Sequence, residues 1–153
     1  ESSTDTWAFG TALCLLAEIQ LVQADTGAAR VTIQRALSMP GIADNARIHA
    51  WAQSDLALVQ IGAGEFAAAR ETVNGEPPDE LGFELTIRWR QVQSAAALAC
   101  GDVETSRQIA QAVVQAAREK GLKQLEQVAQ ALLSGPERPP HELPRIILVG
   151  PEN

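Results

Sequence analysis

Few side chains in this sequence are of a type that does chemistry, and they are scattered. His49 and His141 are far apart, and Cys14 and Cys100 stand at no spacing that suits zinc. There is no His-Glu-x-x-His. Gly62-Ala63-Gly64 matches neither the phosphate-binding loop nor the dinucleotide fingerprint. Carboxylates sit beside basic residues, as in Arg70-Glu71 and Arg118-Glu119-Lys120, the pattern of solvated helix faces. A Ser/His/Asp set can be assembled from almost any chain, and nothing singles one out here. The sequence therefore points to no catalytic residue, no metal and no cofactor, and an enzyme is not the expectation. Cys14 and Cys100 each lie in an apolar helical pattern and read as small buried side chains, which suits a reducing, cytoplasmic setting. His49 reads as a helical histidine beside Arg47 and Trp51, with ligand contact as the alternative. Trp7, Trp51 and Trp89 read as helix-packing residues, or as anchors for a partner.

Composition narrows the class. The 153 residues are 46% hydrophobic and 20% charged, ordinary for a globular domain. Aromatics make up only 4%, while Ala and Leu are plentiful, which favours close-packed helices. A net charge of -7 argues against a nucleic-acid partner, which needs a basic face. No apolar run approaches a membrane span, and a membrane is not expected. The chain opens on Glu, which reads as a cut or processed piece of a longer protein.

What must position these residues is a repeated stretch. Gly64-Glu65-Phe66-Ala67-Ala68-Ala69-Arg70 has weaker copies in Ala24-Asp25-Thr26-Gly27-Ala28-Ala29-Arg30 and Gly101-Asp102-Val103-Glu104-Thr105-Ser106-Arg107. The closing arginines stand 40 and 37 residues apart, a period that signals a repeat array. Each copy reads as a turn between antiparallel helices, at 24–27, 62–65 and 100–103. The Gly or Ala ends one helix, the acid opens the next where the dipole favours negative charge, and the small residue (Ala29, Ala69, Ser106) admits close approach.

Gly64, Glu65, Phe66 and Ala69 resemble the turn of the tetratricopeptide repeat, and Leu16-Ala17 and Leu56-Ala57 resemble the large–small pair of its preceding helix. Gln20 and Gln60 stand where that family carries an aromatic, Gln93-Ser94 stands for Leu-Gly, and the period exceeds the usual one of about 34 residues. Units of this length resemble those of large LuxR/MalT-type bacterial regulators. The resemblance spans roughly residues 7–133. It implies an all-α array of antiparallel helix pairs, an α-solenoid, acting as a protein–protein interaction or regulatory module. In that family the first helices of the pairs line a groove. Position by position this implies Thr11, Cys14, Glu18 and Leu21, then Trp51, Ser54, Leu58 and Ile61, then Arg88, Gln91, Ala95 and Leu98. From these, Glu18, Trp51, Ser54, Leu58, Arg88 and Gln91 are the expected partner-binding residues. Only Arg88 is basic, so a peptide-carboxylate clamp is not implied. A mostly apolar groove suits an amphipathic helix, an apolar tail or a neighbouring domain of the same protein. Alternatively, these residues are core and the array is closed.

Hydrophobic periodicity predicts about seven helices, over 7–23, 27–39, 44–61, 65–73, 80–100, 103–120 and 122–133, and no sheet before residue 140. They group into units of about 7–41, 44–76 and 80–120 with 122–133 as a cap, all in a repeat domain of 1–133. Asp5 or Thr6 is the expected cap of the first helix. That helix is apolar around most of its circumference, which implies burial on several sides or a missing neighbour. In 134–153, the Pro-rich segment 135–144 reads as a non-helical linker. Arg145-Ile146-Ile147-Leu148-Val149-Gly150 reads as a β-prone extended tail, docked in the chain's own groove, pairing with a second copy as a homodimer, or opening a further domain. The competing functional class is a small-molecule sensor, or an enzyme, with a site inside the helical bundle.

Overall fold

The structure is a computed structural model that describes residues 3–79, 81–134 and 138–151. Among these residues it is all-helical, with eight α-helices and no strand: α1 (Ser3–Val22), α2 (Thr26–Leu37), α3 (Ala46–Gly62), α4 (Phe66–Thr72), α5 (Phe83–Ala99), α6 (Val103–Glu119), α7 (Lys123–Leu133) and α8 (Leu143–Val149). Short 3-10 turns at Ile42–Asp44 and Pro140–Glu142 precede α3 and α8.

The three recurring stretches are all helix–helix turns, and a fourth of the same build joins α6 to α7. Ala24, Gly64, Gly101 and Gly121 take left-handed φ values of 63°, 83°, 84° and 69°. The next residue in each, Asp25, Glu65, Asp102 or Leu122, donates its backbone N–H to a carbonyl five residues back, at 2.8–2.9 Å. This closure satisfies carbonyls that a helix end leaves unpaired. Ala24 holds the strained conformation without being glycine, the one such residue among those described. Asp25 and Asp102 then cap α2 and α6 by accepting the N–H of Ala28 and Thr105, each at 3.2 Å.

Packing follows from these turns. α1 lies against α2, α3 against α4 and α5 against α6, while α1, α3, α5 and α7 also touch in sequence as one layer. The small residues expected to admit close approach, Ala29, Ala69 and Ser106, are wholly or almost wholly buried, and so are Ala17, Ala57 and Ser94 in the helices before them. In the third pair the hydroxyls bond each other, with Ser94 Oγ 2.9 Å from Ser106 Oγ and 3.0 Å from the Ser106 carbonyl. Gly10 serves a similar approach of α1 to α3, since a Cβ there would stand 2.7 Å from Ile48 Cγ2.

Several expectations are corrected. The run 145–150 is not extended: it forms the helix α8, and Pro144, placed in the segment read as non-helical, lies in its first turn. Proline is tolerated there because the first-turn N–H has no helical acceptor to lose. α1 begins at Ser3, so neither Asp5 nor Thr6 is its cap. α5 begins after Gly82, and the expected start at Glu80 lies outside the described residues. Cys100 is exposed at the end of α5, while Cys14 is buried as expected.

Candidate interaction surface

The surface of interest is the face formed together by the first helices of the pairs, because one element lies across it. α8 packs against α1, α3, α5 and α7. Leu143, Ile146 and Ile147, spaced as one stripe of a helix, are at most 5% exposed, while Arg145 points to solvent and Val149 is 45% exposed. They join one core cluster with Leu21, Leu58, Ile61, Val92 and Ala95. Leu21, Leu58, Ile61 and Ala95 are inner positions implied by the repeat resemblance, and Leu98 packs against the same cluster. This face of α1, α3 and α5 is thus largely apolar and already carries a short amphipathic helix. Gly150, at φ 86°, ends that helix by donating its N–H to the Ile146 carbonyl at 2.8 Å.

Three of the six expected partner-binding residues come together in a polar cluster at one side of this face. Glu18 Oε2 accepts from Trp51 Nε1 at 2.6 Å and from Arg88 Nη1 at 3.4 Å. Arg88 Nη1 also stands 3.9 Å from Asp55 Oδ1. Asp55, the odd polar member of α3's apolar ladder, is fully buried, and neither carboxylate oxygen has a hydrogen bond of good geometry. Burial pushes its carboxyl well above the ordinary range, and the neighbouring Glu18 carboxylate adds to this more than Arg88 opposes it. Asp55 therefore holds a proton where an exposed carboxyl would not. Cys14 is pushed the same way, first by burial and then by Asp55 and Glu18, which keeps it an unreactive thiol.

The other three serve packing in this structure. Ser54 is 1% exposed and donates to the Trp51 carbonyl at 2.8 Å. Leu58 is wholly buried. Gln91, 1% exposed, donates to the Leu125 carbonyl at 3.2 Å and so ties α5 to α7. Trp89 is buried as a core residue, Trp7 is 54% exposed, and His49 is half-buried on α3. Beside α8 an open cleft of about 940 Å³ is lined by Trp51, Phe83, Leu125 and Leu148 together with the cations Arg47, Arg88 and Lys123 and the carboxylate Glu84.

Two sets of interactions escaped sequence reasoning. Arg30 pairs with Glu65, and Arg70 pairs with Asp102 at 2.6 Å, so the closing arginines of the first two copies reach the acid of the following turn, while Arg107 pairs with Glu104 in its own helix. Arg70, and then the Thr105 hydroxyl, hold the Asp102 carboxyl below the usual range. Thr32 Oγ1 lies 2.8 Å from Gln20 Oε1, and Thr72 Oγ1 lies 2.7 Å from Gln60 Oε1. The signal for the second set was present, since Gln20 and Gln60, and Thr32 and Thr72, recur at the same 40-residue spacing. Among the described residues no group of three or more potential ligands gathers to hold a metal, and no helix is long and apolar enough to cross a membrane. Compared with models of protein families, with curated proteins and with solved structures, the chain matches none of them.

Proposed function

We propose that this chain is a helical-repeat interaction module of tetratricopeptide kind, part of a larger regulatory protein, whose inner face binds a short apolar helix. The observation that carries the reading is α8, seated across α1, α3, α5 and α7 through Leu143, Ile146 and Ile147. Its surroundings supply what helix-in-groove recognition needs, an apolar floor and anchors at i, i+3 and i+4. The repeat reading draws support from the four matching turns, the Gln–Thr bonds repeated at 40 residues and the arginine-to-acid pairs between successive turns. In this state the module's own C-terminal helix is the occupant. A competing protein helix would displace it. The cleft with Arg47, Arg88 and Lys123 favours a second reading, a sensor for an anionic small molecule that settles against α8.

The double substitution Ile146→Glu with Ile147→Glu tests the first reading. Burying two carboxylates on an apolar floor is prohibitive, so α8 is expected to leave the face. Chymotrypsin should then cleave after Leu148, within α8, at least about ten times faster, because proteolysis follows the population of the open form. The remaining helices should still melt in one cooperative transition. Cleavage at the parent rate would mean that α8 does not depend on this face.

A further inference from the structure

We infer that the outer face of α1 is the seat of a further helix pair of the same repeat kind, preceding α1 in the polypeptide. The inference rests on the repeat reading above. Shifted by the 40 residues that separate the first two turns, α1 superposes on α3 in sequence: Ala8 on Ile48, Ala12 on Ala52, Leu15 on Asp55 and Ile19 on Val59. In α3 these four positions are at most 2% exposed, on a helix packed against α1 and α2 of the preceding pair. In α1 the same four are exposed, with Leu15 at 48% and Ile19 at 55%. A charge-free stripe of this kind is what a helix presents to a packed neighbour.

A separate observation selects the occupant. The arginine-to-acid pairs run from Arg30 to Glu65 and from Arg70 to Asp102. Asp25 is the equivalent acid of the first turn, and among the described residues no arginine pairs with it. A preceding unit in the same register would bring its own closing arginine to Asp25, as Arg30 comes to Glu65. Both the apolar stripe and the unfilled acid thus fit one neighbour, a helix pair with the turn chemistry of the units already present. The opposite end does not offer such a seat, because α6 and α7 keep their polar faces outward, as the last members of an array do.

The test adds that neighbour in register. A second copy of residues 3–42 is placed directly ahead of Ser3, and Leu15→Glu with Ile19→Glu is made in turn at three places. In the 153-residue chain the pair of substitutions should leave the melting temperature unchanged. The same holds for the added outer copy. At the original positions of the extended chain they should lower it by at least about 5 °C, since the face is then buried. Equal tolerance at all three places, or an added copy that stays unfolded, overturns the inference. So does a 153-residue chain that runs at twice its 16.3 kDa mass and is returned to monomer by the substitutions, because the face then belongs to a second copy. The repeat reading is judged apart from this, at the Ala69 crossing.

Discussion

Replacing Asp55 with Asn is expected to flatten the pH dependence of stability, so that the variant gains on the parent as the pH rises from 4 to 6. The sign follows from the direction of the shift. In the unfolded chain Asp55 ionises around its ordinary value of 3.8, whereas in the folded chain burial holds its proton to much higher pH. Above that ordinary value the unfolded state binds fewer protons than the folded one, so stability falls as pH rises. The loss is about 1.4 kcal/mol per pH unit until the buried group itself ionises. Below that ordinary value both states are protonated and the contribution is fully present. Asn keeps the shape, keeps a hydrogen that can face Glu18, and cannot ionise, so it removes this slope. The groups facing the site are Glu18, Arg88, Trp51 and Cys14, and Glu18 stays paired with Arg88 in the variant. Chemical denaturation of both proteins at pH 4, 5 and 6 checks the claim. A variant that loses ground to the parent as the pH rises, or a gap equal at all three values, contradicts it.

The second large effect is expected at the crossing of α3 and α4. Ala69 is wholly buried and follows the turn by the same offset as Ala29, which is also wholly buried. Leucine adds three methylene-sized groups where the facing residue, Ala57, is itself small and fully buried. Interiors packed at crystal-like density do not absorb such volume without moving the helices. Ala69→Leu should therefore cost roughly 1–3 kcal/mol, a drop in melting temperature of about 3–10 °C for a chain of this size. Ala68 is the internal control. It precedes Ala69 by one residue, faces solvent, and should accept leucine within about 0.5 kcal/mol. Equal costs at 68 and 69 would mean that the small residue after the turn plays no part in helix approach.

How far the sequence could be read depended on the length of each pattern. The turns at Gly64 and Gly101 were legible because a positive φ, an acid at the next helix start and a small residue at a fixed offset reinforce one another. The first layer of helices was legible from apolar periodicity carried over whole elements. α8 was not, for a physical reason. Four apolar residues in a row suit a strand and a helix equally, and only the spacing of Leu143, Ile146 and Ile147 reveals the stripe that the groove selects. Cys100 looked buried on periodicity, but the turn at Gly101 places it at the helix end, in solvent. At the candidate surface, Glu18, Trp51 and Arg88 were chosen separately and do meet. Ser54, Leu58 and Gln91 share their helical phase and yet serve packing, because α8 and neighbouring helices fill the space they face. The arginine-to-acid pairs went unread because their partners lie 35 and 32 residues apart, beyond any local pattern.

The central claim, that the inner face binds a short apolar helix, is tested most directly by supplying that helix from outside. A chain ending at Ser134 leaves α1 to α7 without α8, and a fluorescently labelled peptide of residues 138–151 is titrated against it. The anisotropy should rise to saturation for the truncated chain and stay flat for the intact one, whose own α8 holds the seat. A peptide carrying Ile147→Glu should not bind. A truncated chain that keeps its helical circular dichroism and cooperative melting, yet shows no saturable binding, would contradict the account.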